Sequence, residues 1–276
     1  MLQRLESIVR GICLLVMCCA CGWLPARAQE DVPQANEVEK LRSDFATEAN
    51  RVQVSGGADG KQTLKMQAKP LLNWSNPERN SPAGGMFLWT LDGRPQVAMC
   101  MYPNLGNYDM EFQSLSEWGL HARLGEQSIW HPADSDLEMR VLENVPDVGP
   151  AAPSRLLQMR RIARGFSAKL VPPNRDEKPL RMLATPLYRY PASLDNGKPK
   201  PYVDGAVFAF VQGTDPEVLL IIEAVASDAN QTHWQYGLAR MSMVPMQVQR
   251  GEQVVWQTEW ARMHYSLPYH VHRVGR

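Results

Sequence analysis

Three blocks of this chain recur, in the same order, a little under half its length further on. Leu64-Lys-Met-Gln-Ala-Lys-Pro-Leu71 is answered by Leu180-Arg-Met-Leu-Ala-Thr-Pro-Leu187, with five of eight positions identical at an offset of 116. Gly85–Gly93 is answered by Gly205–Gly213 at 120, and Gly125-Glu-Gln-Ser-Ile-Trp130 by Gly251-Glu-Gln-Val-Val-Trp256 at 126. Offsets that drift by a few residues between ordered matches are the mark of a tandem duplication with loops of unequal length. A chain of this kind must solve the same folding problem twice and then bury the two solutions against each other.

Local patterning gives both copies one plan. An amphipathic helix opens each: near Glu37–Ala49, with Val38, Leu41, Phe45 and Ala46 on one face, and near Ser154–Gly165, with Leu156, Met159, Ile162 and Ala163. Ser154 after Pro153 reads as the N-cap of the second. Strands follow at 51–55 and 64–72, and at 167–171 and 180–190. Pro70 and Pro186 mark a matching bend in the second strand of each set. An apolar hairpin turns at Asp92-Gly93 in one copy and at Gly213-Thr-Asp-Pro216 in the other, because glycine accepts φ > 0. Val218-Leu-Leu-Ile-Ile222 is apolar without alternation, as in a strand covered on both faces. Strands at 110–115 and 234–241 and a last hairpin, turning at Gly125-Glu126 and Gly251-Glu252, complete each set.

The expected fold is α+β and predominantly antiparallel β: a tandem duplication of a helix-plus-antiparallel-sheet unit with pseudo-twofold symmetry. The units span 37–145 and 154–260, with a linker at 146–153 and a C-terminal tail at 261–276. The pattern leaves open whether the units share one sheet or pack sheet on sheet.

The N-terminus reads as a targeting segment. Arg4 and Arg10 precede an apolar run from Gly11 to Leu24, and Ala26-Arg27-Ala28 supplies small residues two apart. That is the signal-peptide pattern, with release after Ala28 and a flexible leader at 29–36. The apolar run is shorter than the roughly 20 residues that span a bilayer, and no later stretch matches it. Cys18-Cys19-Ala20-Cys21 offers a second reading, a lipobox that leaves a lipid anchor at Cys21, but Cys18 stands where leucine is usual. Release after Ala28 would leave Cys100 alone, so the fold would rest on burial and not on disulfides. The remaining chain carries 26 basic and 28 acidic side chains without a basic block, which argues against nucleic acid as a partner.

Each chemical candidate has a plainer structural reading. Trp130 and Trp256 recur at matched positions and read as core. His264, His270 and His272 could approach one another near the C-terminus, yet no cysteine or acid accompanies them there, and no metal or other cofactor is expected. Cys100, inside Val97-Ala-Met-Cys-Met101, reads as a buried thiol. Gly56-Gly-Ala-Asp-Gly-Lys61 fails the phosphate-loop pattern at both ends. Asp109, Glu111, Asp204, Asp215, Glu217 and Glu223 are available acids that spacing cannot pair. Glu223, opposite Tyr102 of the other copy, reads as an edge residue emerging into solvent, or else as a buried acid.

A site that works once should use residues that differ between the copies. Asn73-Trp-Ser-Asn-Pro77 against Arg189-Tyr-Pro-Ala-Ser193 differs most. The candidate ligand site is therefore Trp74, Arg189, Tyr190 and Glu223, lining a cleft between the units.

Several stretches carry a resemblance. Leu71-Leu-Asn-Trp-Ser-Asn-Pro77, Phe87-Leu-Trp89, Glu111-Phe-Gln-Ser-Leu115, Asp204–Val218 and Trp234–Met241 resemble a group of exported bacterial proteins of planctomycete type. The likeness implies export and brings no activity, cofactor or catalytic residue. The expected function is a non-catalytic exported protein that binds a small ligand or an envelope protein. The alternative is an envelope hydrolase using acids or His131 in a cleft between the repeats.

Overall fold

A computed structural model of the protein describes residues 35–190, 202–226 and 231–275. The expected signal segment, Cys21 and all but the last residues of the leader lie outside the described residues. The first half begins with α1 (Ala35–Arg51), whose Leu41, Phe45 and Ala49 are buried at intervals of four, one stripe of a helix. Its strands are β1 (Val52–Gly56), β2 (Gln62–Thr63), β3 (Lys65–Met66), β4 (Leu72–Asn76), β5 (Ser81–Leu91), β6 (Arg94–Asn104), β7 (Asn107–Ser114), β8 (His121–Leu124) and β9 (Gln127–Trp130). β10 (Arg140–Val141) leads to the second half.

There α2 (Ala152–Ala163) buries Met159, Ile162 and Ala163. It starts two residues before the expected cap. Ala151 is its N-cap and Pro153 sits in the first turn, where a missing N–H costs nothing, while the Ser154 hydroxyl donates to Ala151 O at 2.7 Å. Its strands are β11 (Phe166–Leu170), β12 (Lys178–Met182), β13 (Tyr188–Arg189), β14 (Tyr202–Gln212), β15 (Asp215–Ala226), β16 (Thr232–Arg240), β17 (Met246–Arg250) and β18 (Gln253–Thr258). Within the expected tail lies a further strand, β19 (Tyr269–Gly275).

Every described pairing is antiparallel, and the protein is β-rich. The second half forms one sheet in the order β10-β16-β15-β14-β12-β11-β17-β18, with β13 on β14. The first half forms two, β19-β7-β6-β5-β3 with β4 on β5, and β2-β1-β8-β9. They meet at Leu64, between β2 and β3, whose N–H bonds Val54 O at 2.9 Å. β10 follows the first half but pairs with β16 of the second. β19 follows the second half but pairs with β7 of the first through seven residues, from Tyr269 opposite Gln113 to Gly275 opposite Asn107. The two halves exchange their last strands.

The expected strands 64–72 and 180–190 are each interrupted. The N–H groups of Gln67 and Leu71 reach Leu88 O and Met86 O, and those of Leu183 and Leu187 reach Ala209 O and Val207 O. Between each pair of bonds the chain leaves the ladder at Pro70 or Pro186, which have no N–H to give. The hairpins β5–β6 and β14–β15 carry irregularities between Trp89 and Thr90 and between Phe210 and Val211, and turn at Leu91–Arg94 and Gln212–Asp215. Matching them residue for residue gives an offset of 121, one more than the glycines suggest. The difference decides which side chains share a face, since a one-residue slip turns every side chain over.

The layers follow from this alternation. Phe87, Trp89, Val97 and Met99 face α1, and Phe208, Phe210, Val218 and Leu220 face α2. Met86, Leu88, Ala98 and Cys100 form a third core with Val207, Ala209, Leu219 and Ile221. The units therefore pack sheet against sheet, each with its helix on the outer side. At the edge of this middle core Trp74 lies over Gly84 and Tyr190 over Gly205. A Cβ on those glycines would stand 2.1 Å and 2.3 Å from the ring carbons. Among the described residues no helix is long and apolar enough to cross a membrane.

Gly205→Ala must displace the buried ring of Tyr190. Overpacking of this kind costs about 1–3 kcal/mol. Urea unfolding should show the midpoint lowered with an unchanged slope; an unaltered midpoint would refute the close contact.

Candidate functional site

Trp74, Arg189, Tyr190 and Glu223 lie in or beside the middle core. Glu223 is buried on β15, not emerging into solvent. Its carboxylate takes Arg94 Nε at 2.8 Å and Nη2 at 3.1 Å, the Tyr190 hydroxyl at 2.9 Å and the Gln235 amide at 2.8 Å. The space beside it, lined by Arg94, Leu115, Met139 and Tyr190, is about 10 Å³, at the lower bound for one water. Arg189 is spent on Asp204, through Nε at 3.1 Å and Nη2 at 2.7 Å, and on Ala152 O. Trp74 is buried, with its ring centroid 5.8 Å from that of Tyr102. Tyr190 and Glu223 are brought together; Arg189 and Trp74 serve other contacts.

A second buried group contains Glu111 of β7 and Asp215 and Glu217 of β15, three carboxyls facing one guanidinium, Arg79. Arg79 Nη1 lies 3.4 Å from Asp215 and Nη2 2.7 Å from Glu217, the latter in ion-pair contact but off the line of a hydrogen bond. The Asn76 amide donates to Asp215 at 3.1 Å, and the Tyr269 hydroxyl donates to Glu111. Burial raises all three acids: Asp215 to about 6 against the pull of Asn76 and Arg79, Glu217 to about 7 against Arg79, and Glu111 well above the carboxylate range. A single arginine cannot neutralise three anions out of water, so the group holds protons at neutral pH. Ser242 at Glu217, Arg240 near Glu111, and Tyr102 and Cys100 complete its surroundings. Burial likewise pushes the Cys100 thiol up, in keeping with an inert side chain.

Two open grooves lie elsewhere: one of about 660 Å³ at Arg140, Glu143 and Arg250, walled by charged side chains, and one beside β1, β8 and β9. The second, of about 510 Å³, is lined by Gly57, Gly60, Trp118, Gly119, His121 and His131, together with Ala58, Leu120, Pro132 and Ala133. None of these residues is an acid, a lysine or an arginine. Local rules explain its walls. Gly57 and Gly60, at φ 83° and 69°, carry the turn between β1 and β2. Gly119 lets the backbone pass Ala133, where a Cβ would stand 2.9 Å from the carbonyl oxygen, and Leu120 N–H bonds Pro132 O. Trp118, 45% exposed, projects from a turn whose N–H bonds the Ser116 hydroxyl.

His131 is held by Tyr265. Its N–H bonds Tyr265 O at 2.8 Å, and its ring stacks on that of Tyr265 with centroids 4.6 Å apart and planes 5° from parallel. The His121 ring lies 6.3 Å from that of His131 and bonds the Ser128 hydroxyl; burial holds its pKa below the usual value. No described carboxylate is in ion-pair contact with either imidazole. The groove can therefore stack and hydrogen-bond a ligand, but lacks a His–carboxylate pair for proton transfer. His131 is the one groove residue to which the sequence pointed. Trp118 gave no signal, because its neighbours across the groove are distant in the chain.

His270 and His272 sit two apart on β19. Burial, with His272 and His264 nearby, lowers His270 to about 4. No three described histidines, cysteines or acids form a group that could hold a metal ion. No known protein family, curated protein or solved structure matches this chain.

The acid group fixes a pH dependence. A carboxyl whose folded pKa lies above its unfolded value binds its proton more tightly in the folded state. Its stabilisation is complete below the unfolded pKa near 4.5 and is lost as pH rises through the folded value, about 7 for Glu217. With roughly 1.4 kcal/mol per pKa unit, the fall over that window is on the order of a few kcal/mol. Glu217→Gln fixes the neutral form, so its unfolding free energy should vary less between pH 5 and pH 8, and at pH 8 it should melt above the parent. Equal pH slopes in chemical denaturation would contradict the assignment.

Proposed function

We propose that the protein is an exported, non-catalytic binding protein of the cell envelope that holds its ligand in the groove at Trp118 and His131. The observation that carries this reading is the contrast between the two kinds of polar site. The acid groups are sealed and occupied by fixed partners, whereas the groove is open, aromatic and free of charged side chains. An aromatic surface with imidazole edges binds by stacking and hydrogen bonding and demands no reactive group.

The chain is, in this reading, a duplication related by a pseudo-twofold. Three correspondences support it: the strand orders run alike, the hairpins carry irregularities 121 residues apart, and an aromatic lies over a glycine in each half. Tyr265, which stacks on the groove residue His131, comes from the segment that crosses from the second half to the first. Export rests on the signal pattern at 1–28 and on the resemblance to exported planctomycete-type proteins, with release after Ala28 preferred to a lipid anchor at Cys21. A small envelope ligand or an envelope protein remains the class of partner, and nucleic acid is disfavoured by the charge balance.

The second reading, an envelope hydrolase, is favoured by one observation: Glu217, held near neutrality, has the proton affinity of a general acid. Its burial without an open path to solvent weighs against that role.

Envelope extracts, separated into glycan, lipid and protein fractions and incubated with the full chain, discriminate the two. The binding reading expects retention of one fraction, weakened in Trp118→Ala, with the bound material recovered chemically intact by mass spectrometry. Cleavage that disappears in Glu217→Gln would replace it with the hydrolase.

A further inference from the structure

We propose that the groove takes a neutral saccharide, stacked by a ring face on Trp118 and hydrogen-bonded at its edge by His131. This rests on the reading of the groove as the binding site and names the ligand class. Three features of the lining select it.

The first is charge. With no acid, lysine or arginine in the wall, a charged ligand would lose hydration without gaining a counter-ion, and that cost is large. His121, with its pKa lowered by burial, adds no cation at neutral pH. Phosphates, carboxylates and ammonium groups are therefore poor occupants.

The second is the arrangement of apolar and polar atoms. Trp118 offers an exposed indole face, and the stacked rings of His131 and Tyr265 continue an aromatic surface on which Tyr265 is 48% exposed. His131 is exposed and its ring makes no hydrogen bond to a described residue, which leaves it free to bond a ligand. A pyranose ring has the complementary pattern, with C–H bonds on its faces and hydroxyls on its edges. A lipid chain has no use for the imidazole edge.

The third is shape. Gly57, Gly60 and Gly119 keep side chains out of the groove, and two of them hold backbone conformations that favour glycine. A floor of bare backbone lets a flat, rigid ring come close, and its volume of about 510 Å³ is that of a site for a small oligomer.

The experiment is calorimetric titration of the full chain with neutral hexamers of β-1,4-linked glucose and of N-acetylglucosamine. An anionic galacturonate hexamer and a neutral, end-capped peptide rich in Phe and Leu are titrated in parallel. The expected result is binding of a neutral hexamer that resists added salt, with no tighter binding of the anionic one. Trp118→Ala should weaken it about tenfold, the scale of one lost aromatic stack. His131→Ala should weaken it too, which keeps the test decisive if the tryptophan variant fails to fold. If neither neutral hexamer binds, or if binding ignores both substitutions, the saccharide proposal is overturned. If the peptide binds instead and depends on Trp118, the groove remains the site and only the ligand class falls. If nothing that binds depends on Trp118 or His131, the site reading falls with it.

Discussion

Neither half of this protein finishes its own sheet. β7 and β16 would each present a row of unpaired N–H and C=O groups, and each is covered by a strand that the other half supplies. The two covers are unequal, two residues on β16 and seven on β7. Completion of the first half therefore waits for the last residues of the chain. Loop closure over that distance is entropically expensive and is recovered only when the middle core forms, so the halves are expected to fold as one cooperative unit. The exchange also sets their spacing, because a strand can reach the other edge only when the sheets lie face to face.

That middle core is apolar at its centre and ionic at its margins, and the ion pairs run between the halves. Arg94 of β6 meets Glu223 of β15, and Arg79, just before β5, meets Asp215 and Glu217 of β15. The exchanged strand adds Arg273 on Asp109 and Tyr269 on Glu111. Buried pairs give little net stability, because desolvation offsets their attraction, but an unmatched one is costly. Their effect here is on register: any slip of one sheet over the other would strand several acids at once. The excess of carboxyls around Arg79 shows the limit of the arrangement, where protons complete a neutralisation that the side chains do not.

The sequence made the local structure legible and the long-range structure largely not. Helix faces, the hairpin at Asp92-Gly93 and the buried run Val218–Ile222 depend on periodicity and turn chemistry, both carried by neighbouring residues. The expectation that Glu223 emerges into solvent missed because its partners, Arg94 and Tyr190, lie 129 and 33 residues away. The C-terminal strand was hidden for the same reason: His270-Val-His272 alternates like any edge strand, and nothing in it names β7. The glycine match at 120 was misleading because two bulged hairpins align by their backbone bonds and not by their turn residues. Trp74 and Tyr190, singled out because their segments differ, each pack over a glycine, Gly84 and Gly205, a contact that no local pattern announces.

The groove at Trp118 and His131 draws its lining from the first half and a neighbouring ring from the second. Its floor and Trp118 come from the first half, and such a surface alone would be an open turn beside an edge strand. Tyr265 arrives with the segment that carries β19 across, and it fixes His131 by one backbone bond and one stacked ring. The segment that crosses the other way, between β9 and β10, lines a smaller space with Tyr236 and Trp256 through Asp136 and Glu138. A ligand that bridged Trp118 and His131, as proposed, would also favour the crossed arrangement over any state in which the tail has detached, and would link binding to completion of the fold through the same few contacts.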